Sequence, residues 1–391
     1  MRIAQAAQTM LNDTIIPFWL ALRDEENGGF YGYMDYDLQL DKDAEKGCIL
    51  NSRILWFFSA AALATGRADL RAAADHAYRF MTDHCVDRTN GGVYWSVTCD
   101  GKPLDTTKHT YNQAFAIYAL SAYYRLTGNV QALALAGELF TAIETHCTDA
   151  GGYLEAFTVD WQPESNEKLS ENGVLATRTM NTLLHVFEGY AGLYQAAPGE
   201  KVRAALLRIL DIYGGKVYSP DLHRQLVFFD HEYNSLIDLY SYGHDIESSW
   251  LIDWGTGLLG DEALAKSIGA IDSDLAANVY KTAYTNHSLA NECERGKVDT
   301  TRVWWVQAES VLGFVNEFAK SGDAKYAAAA ADIYHFICDK MVDHRPGGEW
   351  FWQTDENGVP SHKPIVEPWK CPYHNGRMCL ELMRRDPDVQ V

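Results

Sequence analysis

A glycine standing between two helical stretches recurs at Gly66, Gly128, Gly199, Gly260 and Gly322, at intervals of 62, 71, 61 and 62 residues. A repeat of that length is one supersecondary unit that cannot bury its apolar face alone, so the chain must stack its units into an array. At each mark a helical pattern ends, the glycine supplies a left-handed residue or turn, and a second, alanine-rich helix follows, as around Gly66 and at Lys320-Ser321-Gly322-Asp323. Each unit is a helix pair. A second mark keeps the same beat: Gly28-Gly29-Phe30-Tyr31, Gly91-Gly92-Val93-Tyr94-Trp95, Gly151-Gly152-Tyr153-Leu154 and Gly347-Gly348-Glu349-Trp350. These read as short extended connections between pairs.

Apolar periodicity predicts helices over 2–23, 48–65, 68–84, 109–127, 130–147, 176–196, 199–215, 244–259, 261–280, 302–321, 323–341 and 372–385. Twelve helices make six pairs, arranged as an open solenoid or a closed ring. The first and last helices are as apolar as the others and no polar capping repeat ends the array, which favours closure. The expectation is an all-α, six-hairpin α/α barrel, a toroid with inner and outer layers. A chain of 391 residues would ordinarily split into two or three domains. Closure instead makes residues 1–391 one domain.

The second helix of each glycine-marked pair is amphipathic (Ala72 to Met81, Ala132 to Ile143, Ala327 to Ile337) and suits the outer layer. The other six are then inner, and their starts carry Arg53, Tyr111, Asn181 with His185, His244 with Glu247, Trp304-Trp305 with Glu309, and His374 with Arg377. In a ring whose inner helices run the same way those ends surround one cavity, where helix N-termini add free N–H donors. His244 and His374, facing one pocket, could form an acid/base pair near neutral pH.

Taken singly these residues decide little. His185 could be a hydrogen-bonded core histidine, Arg53 the partner of a nearby carboxylate, and His109 a helix-start residue. One of Trp304 and Trp305 must be packing, because adjacent positions do not share a helix face. His244 and Glu247 could be a surface ion pair, and no further ligand at metal spacing follows them, so no metal is expected.

The balance of 33 basic against 53 acidic residues gives a net charge of −20, which disfavours nucleic acid and anionic membranes as partners. No run of about 18 apolar residues is expected to span a bilayer. The amphipathic start lacks a secretory pattern, and the eight cysteines are scattered without a C-x-x-C pair, so a cytoplasmic location is expected. Aromatic residues make up 12% of the chain, with 11 Trp and 22 Tyr. They suit either a large core or stacking on the C–H faces of sugars.

Four blocks carry a resemblance: Glu26 to Tyr33 (ENGGFYGY), Ser241 to Glu247 (SYGHDIE), Arg302 to Glu309 (RVWWVQAE) and Pro368 to Arg377 (PWKCPYHNGR). In this order, along the full length, the chain resembles the N-acylglucosamine 2-epimerase superfamily. The last block and the Trp-Trp pair favour its cellobiose 2-epimerase branch. The resemblance implies a six-hairpin α/α barrel, probed independently by the count above. It also implies reversible C2 inversion of the reducing-end glucose of a β-1,4-linked disaccharide, cellobiose or lactose, without metal or nucleotide; no cofactor and a monomer are expected. The family's acid/base histidines fall on His244 and His374, and its enediolate-stabilising pair on Arg53 and His185. Its substrate contacts fall on Tyr111, Asn181, Glu247, Trp305, Glu309 and Trp369, with Trp304 beside them. The segment from Trp161 to Thr179 departs from the family pattern, with Gly173 or its neighbours where some relatives carry an acidic residue.

The chemistry follows from the substrate. Ring opening exposes an aldehyde that acidifies the C2 proton, and the resulting cis-enediolate is planar. A base on one face removes that proton and an acid on the other returns one. His374 and His244 are expected in these roles, with Arg53 and His185 holding the oxyanion, Glu247 orienting His244, and Trp369 and Trp305 stacking on the sugar rings. A monosaccharide 2-epimerase or mannose isomerase would use the same enediolate. A glycoside hydrolase would instead set Glu247 and Glu309 across a bond, and a non-catalytic sugar-binding protein would use only the aromatics.

Overall fold

Two kinds of helix alternate along the chain, and their burial sorts them into two rings. The computed structural model describes residues 1–169 and 172–391. Among these residues the helices are α1 (3–21), α2 (Cys48–Thr65), α3 (68–85), α4 (Thr110–Thr127), α5 (Val130–His146), α6 (Met180–Ala196), α7 (200–217), α8 (Tyr242–Gly257), α9 (Glu262–Thr282), α10 (Trp304–Ser321), α11 (324–341) and α12 (His374–Arg385). Helices α1, α3, α7 and α11 each include one π turn, at 11–15, 81–85, 213–217 and 337–341. In α2 every residue from Cys48 to Ser59 is buried, and in α4 every residue from Thr110 to Tyr123. In α7 the buried residues are Val202, Ala205, Leu206, Ile209, Leu210, Ile212, Tyr213 and Val217, which is the spacing of a one-sided helix.

The inner helices pack in succession, α2 on α4, α4 on α6, α6 on α8, α8 on α10 and α10 on α12, and α12 returns to α2. Helices α3, α5, α7, α9 and α11 cover their inner partners from outside. The sixth pair is built from the two chain ends, with α1 on α12. Ile3 N donates to Val389 O at 2.9 Å, the Met1 amino group to Val391 O at 2.8 Å, and Arg2 pairs with Asp386 at 3.0 Å. The expected all-α toroid of six hairpins is the observed fold. Inner helices approach closely where side chains vanish: a Cβ on Gly189 would lie 2.6 Å from Ala114 O, and one on Gly313 2.8 Å from Ile246 O.

Gly66, Gly128 and Gly322 end their inner helices with φ of 69°, 70° and 70°, as the repeat requires. Gly199 differs. It is extended (φ −155°) and starts α7, while α6 stops at Ala196 ahead of Pro198, which cannot continue a helix.

Helices α4, α6 and α10 begin one, four and two residues later than periodicity predicts and α8 two residues earlier, and the residues just before all four, like those before α2, are spent on pairing with the next repeat. Lys46–Gly47 pairs with Ser96–Val97, Lys108–His109 with Ala156–Phe157, Arg178–Thr179 with Phe228–Phe229, Leu239–Ser241 with Glu292–Glu294, and Arg302–Val303 with Gln353–Thr354. A buried cation two residues before the helix reinforces three of these joints. Lys46 binds Asp24 and Gly28 O, Lys108 binds Asp87 and Gly91 O, and Arg178 binds Asp149 and Tyr153 O. The same aspartates accept from the backbone of the glycine turns, at Glu26, Thr89 and Gly151. Three of the four glycine-aromatic connections are thereby clamped to the start of the next inner helix, which fixes the end of the ring where the candidate residues lie.

Helix α2 is long and apolar enough to cross a membrane by length and composition. It stands inside the ring, however, with Asn51, Ser52, Arg53 and Ser59 buried against its neighbours.

Candidate active site

The N-terminal ends of all six inner helices open on one cavity of about 430 Å³. Arg53 comes from α2, Tyr111 from α4, Asn181 and His185 from α6, His244 and Glu247 from α8, Trp304 and Trp305 from α10, and His374 from α12, while Trp369 enters on the loop before α12. Ten of the eleven residues expected from sequence line this space. Glu309 does not. It is fully buried behind His374, and its Oε1 accepts from His374 Nδ1 at 2.7 Å. Four lining residues carry a buried polar atom with no partner among the described residues: Asn181 Oδ1, Arg53 Nε, Glu247 Oε2 and Trp304 Nε1. Buried polar groups are normally satisfied, so this wall is built for a ligand rich in hydrogen-bonding groups.

The two histidines expected as the acid/base pair share a neighbour. Ring centroids of His244 and His374 lie 4.8 and 5.5 Å from that of Trp305. Trp305 is partly exposed to the cavity, whereas Trp304 is buried, with its ring 4.5 Å from Trp352 and edge-on to His374. Trp304 is therefore the packing member of the pair, although one edge of it still borders the cavity.

His244 is oriented by Ser241, whose Oγ lies 2.7 Å from its Nδ1. The expectation that Glu247 would do this fails, although the spacing is right. The same H-x-x-E spacing does form a contact one hairpin earlier, where His185 Nδ1 meets Glu188 Oε2 at 2.9 Å. Glu247 Oε1 instead accepts from Arg377 Nη2, while His244 Nδ1 is taken by Ser241. Arg377 also donates to Glu309 Oε1 at 2.7 Å and to Glu188 Oε1 at 2.6 Å. One guanidinium thus joins three glutamates, two of which hold histidines.

Arg53 has no such partner. Its Nη2 donates to Tyr111 Oη at 2.7 Å and its Nη1 to Trp369 O at 3.4 Å, and the guanidinium lies 4.1 Å from the Phe115 ring centroid. Among the described residues no carboxylate pairs with it, so its charge stays available to an oxyanion in the cavity. His109 behaves as a helix-start residue: its Nδ1 accepts from Tyr111 N, and its Nε2 meets Asn166 Oδ1.

Burial sets the protonation. It pushes His244 down to about 3, with His185 nearby adding to the shift. His374 is held well below the usual imidazole range by burial and then by Arg377 and Arg53, and burial lowers His185 despite Glu188. All three rings are neutral near pH 7. Glu247 is pushed well above the carboxylate range by burial and then by the neighbouring Glu309.

Glu247, Glu309 and His374 bring donor atoms within 4.8 Å of one another, close enough to hold a metal ion. Arg377 Nη2 already bonds both carboxylates, so the guanidinium supplies the cation there. That pairing also argues against a hydrolase, whose two carboxyl groups must flank a glycosidic bond rather than share one counter-ion.

Ser241, Glu188 and Arg377 were missed as site residues. Ser241 and Arg377 stand inside recognised blocks, and Glu188 repeats the H-x-x-E spacing, so a signal was present for each. The outer cavity adds Asn172, Asn291, Asp299, Trp352 and Lys363, none of which stood out in the sequence. Residues 170–171, within the divergent segment from Trp161 to Thr179, lie outside the described residues.

The molecule is an α/α barrel whose inner helix ends enclose a polar, aromatic-walled cavity holding three neutral histidines. The chain belongs to the N-acylglucosamine 2-epimerase (GlcNAc 2-epimerase) family, whose profile matches residues 29–376. It is 54% identical to a cellobiose 2-epimerase from Eubacterium cellulosolvens, covering 97% of this chain and 98% of that one. It is 49% identical to a cellobiose 2-epimerase from Ruminococcus albus, covering 100% of both. A solved sugar epimerase from a ruminal bacterium superposes with a TM-score of 0.98 at 48% identity, covering 99% of this chain and 100% of that one.

Proposed function

We propose that the protein is a cellobiose 2-epimerase, with residues 1–391 acting as one catalytic domain that interconverts cellobiose and glucosyl-mannose without a metal or cofactor. Full-length identity to cellobiose 2-epimerases supports the substrate. The observation that carries the mechanism is an arginine without a carboxylate partner in the same cavity as two neutral histidines backed by Trp305.

The reaction begins with ring opening. His185, whose Nδ1 side is committed to Glu188, offers Nε2 to the O1 hydroxyl and, once protonated, donates to the oxygen it has freed. His374 or His244 then removes the C2 proton, and the enediolate's charge falls on Arg53, while His185, neutral again after giving its proton to the ring oxygen, stays beside O1. The other histidine returns a proton to the opposite face, and the two exchange roles with direction. The pair must carry one proton through the cycle. Burial and the nearby cations disfavour it in the free protein, and the enediolate's negative charge offsets that at the moment the proton is needed. Trp305 and Trp369 offer partly exposed faces for stacking.

Lactose presents the same β-1,4-linked reducing-end glucose and is read as a second substrate, giving epilactose. A cytoplasmic monomer suits a chain whose eight cysteines are all free thiols. Incubating the protein with cellobiose, lactose, glucose, mannose and N-acetylglucosamine and separating the products tests the reading. Glucosyl-mannose from cellobiose is expected. Free glucose, or turnover confined to the monosaccharides, would replace this reading.

A further inference from the structure

We infer that Arg377 is a positioning residue that fixes His374 as the Nδ1–H tautomer and thereby aims an unprotonated Nε2 at the substrate carbon. This deepens the epimerase reading and rests on it for its kinetic consequence. Arg377 does not border the catalytic cavity. It borders a second space of about 570 Å³ at the opposite end of the ring, lined also by Trp56, Tyr118, Trp250 and Trp254. Its guanidinium is packed between the rings of Tyr373 at 4.2 Å and Trp250 at 4.8 Å, so it cannot touch substrate and acts only through what it holds.

What it holds is Glu309. That carboxylate accepts from Arg377 Nη2 at 2.7 Å on Oε1 and from Trp250 Nε1 at 2.9 Å on Oε2. Arginine and tryptophan have no acceptor atoms there, so both oxygens of Glu309 are committed as acceptors. The third partner, His374 Nδ1 at 2.7 Å from Oε1, must then donate. A neutral imidazole that donates from Nδ1 keeps its lone pair on Nε2. The same logic runs through Glu188, which accepts from Arg377 Nη1 at 2.6 Å and from Tyr373 Oη at 2.6 Å, and meets His185 Nδ1 at 2.9 Å. A single buried cation therefore sets the tautomer of two histidines on different helices, and Tyr373, to which Arg377 also donates, closes the network.

Lysine at this position keeps the charge but not the fork that spans Glu188 and Glu309. The test is Arg377→Lys in the intact protein, read by kinetics with cellobiose and by histidine ¹⁵N chemical shifts of the sugar-free protein, with His374 assigned by its absence in His374→Gln. The expected result is a fall in kcat of about 10- to 100-fold with KM within about threefold, the size of effect a misaimed group produces. His374 should be Nδ1–H in the parent and a mixture of tautomers in the variant. A folded Arg377→Lys protein with parental kcat and an unchanged tautomer overturns the inference, as does an Nε2–H tautomer for His374 in the parent. The parent measurement needs no variant, so it decides even if Arg377→Lys does not fold. Absence of cellobiose turnover in the parent would refute the substrate reading alone, because the tautomers are read without substrate.

Discussion

Glu309 Oε1 and His374 Nδ1 stand 2.7 Å apart, on the side of the imidazole turned away from the cavity that His374 lines. The carboxylate thus acts on the reaction through the histidine rather than by contact with sugar. Glu309→Gln keeps the shape but replaces one acceptor oxygen with a donor. We expect kcat on cellobiose to fall about 10- to 100-fold with little change in KM. A KM increase at constant kcat would instead make Glu309 a binding group.

Turnover in deuterium oxide should place solvent deuterium at C2 of the mannose unit, because two histidines exchanging a proton with water do not return the original hydrogen. His244→Ala and His374→Ala should each lower kcat by about 10²- to 10⁴-fold, the usual worth of a positioned proton transfer. Mass spectrometry of the product and steady-state rates check both. Near-parental turnover in either variant would remove that histidine from the mechanism.

Among the described residues Arg53 is the one arginine that lines the cavity, and its charge is left to the ligand. Arg53→Lys should therefore cost about 10²- to 10³-fold in kcat, as loss of an oxyanion donor does. Thermal unfolding should change little in comparison. A loss of folding instead of rate would mark Arg53 as structural.

Acid should destabilise the protein through His244. Unfolded, this imidazole titrates near 6.5, and folded only near 3. Between those values the unfolded chain binds a proton that the folded one refuses, so stability falls as pH drops through that window and does not depend on this group above it. His244→Gln should lose less stability than the parent between pH 7.5 and 4.5, by about 2–3 kcal/mol in urea titrations. Equal losses in both proteins would show that His244 is charged in the folded state.

Gly189→Ala should destabilise the ring by about 1–3 kcal/mol, since its Cβ would press on Ala114 O in the neighbouring inner helix and force the two apart. The urea midpoint measures this. An unchanged midpoint would mean that α4 and α6 can separate freely.

Much of the fold was legible because glycine marks and helical periodicity are local. Gly66, Gly128 and Gly322 sit where a left-handed residue must end a helix, and one-sided stripes such as Val202 to Leu210 distinguish outer from inner helices before any contact is known. The helix starts were harder to read. Residues such as Arg178 and Thr179 carry no strand pattern of their own and are extended because Phe228 and Phe229 of the following repeat pair with them. The Asp24–Lys46 and Asp87–Lys108 clamps were visible as recurring residues, yet the 22 and 21 residues between partners conceal the pairing.

The sequence by itself determined the six hairpins, their alternation, and which helix ends carry imidazole, indole and guanidinium groups. Only the tertiary structure decided how those groups are coupled. His185-Val186-Phe187-Glu188 and His244-Asp245-Ile246-Glu247 are the same pattern on two inner helices, yet the first makes a bond and the second does not. Both glutamates accept from Arg377, but His185 Nδ1 meets Glu188 whereas His244 Nδ1 meets Ser241 Oγ on the strand before its helix. Local spacing sets what a side chain can reach, and the neighbours that the folded ring brings to it set what it does reach.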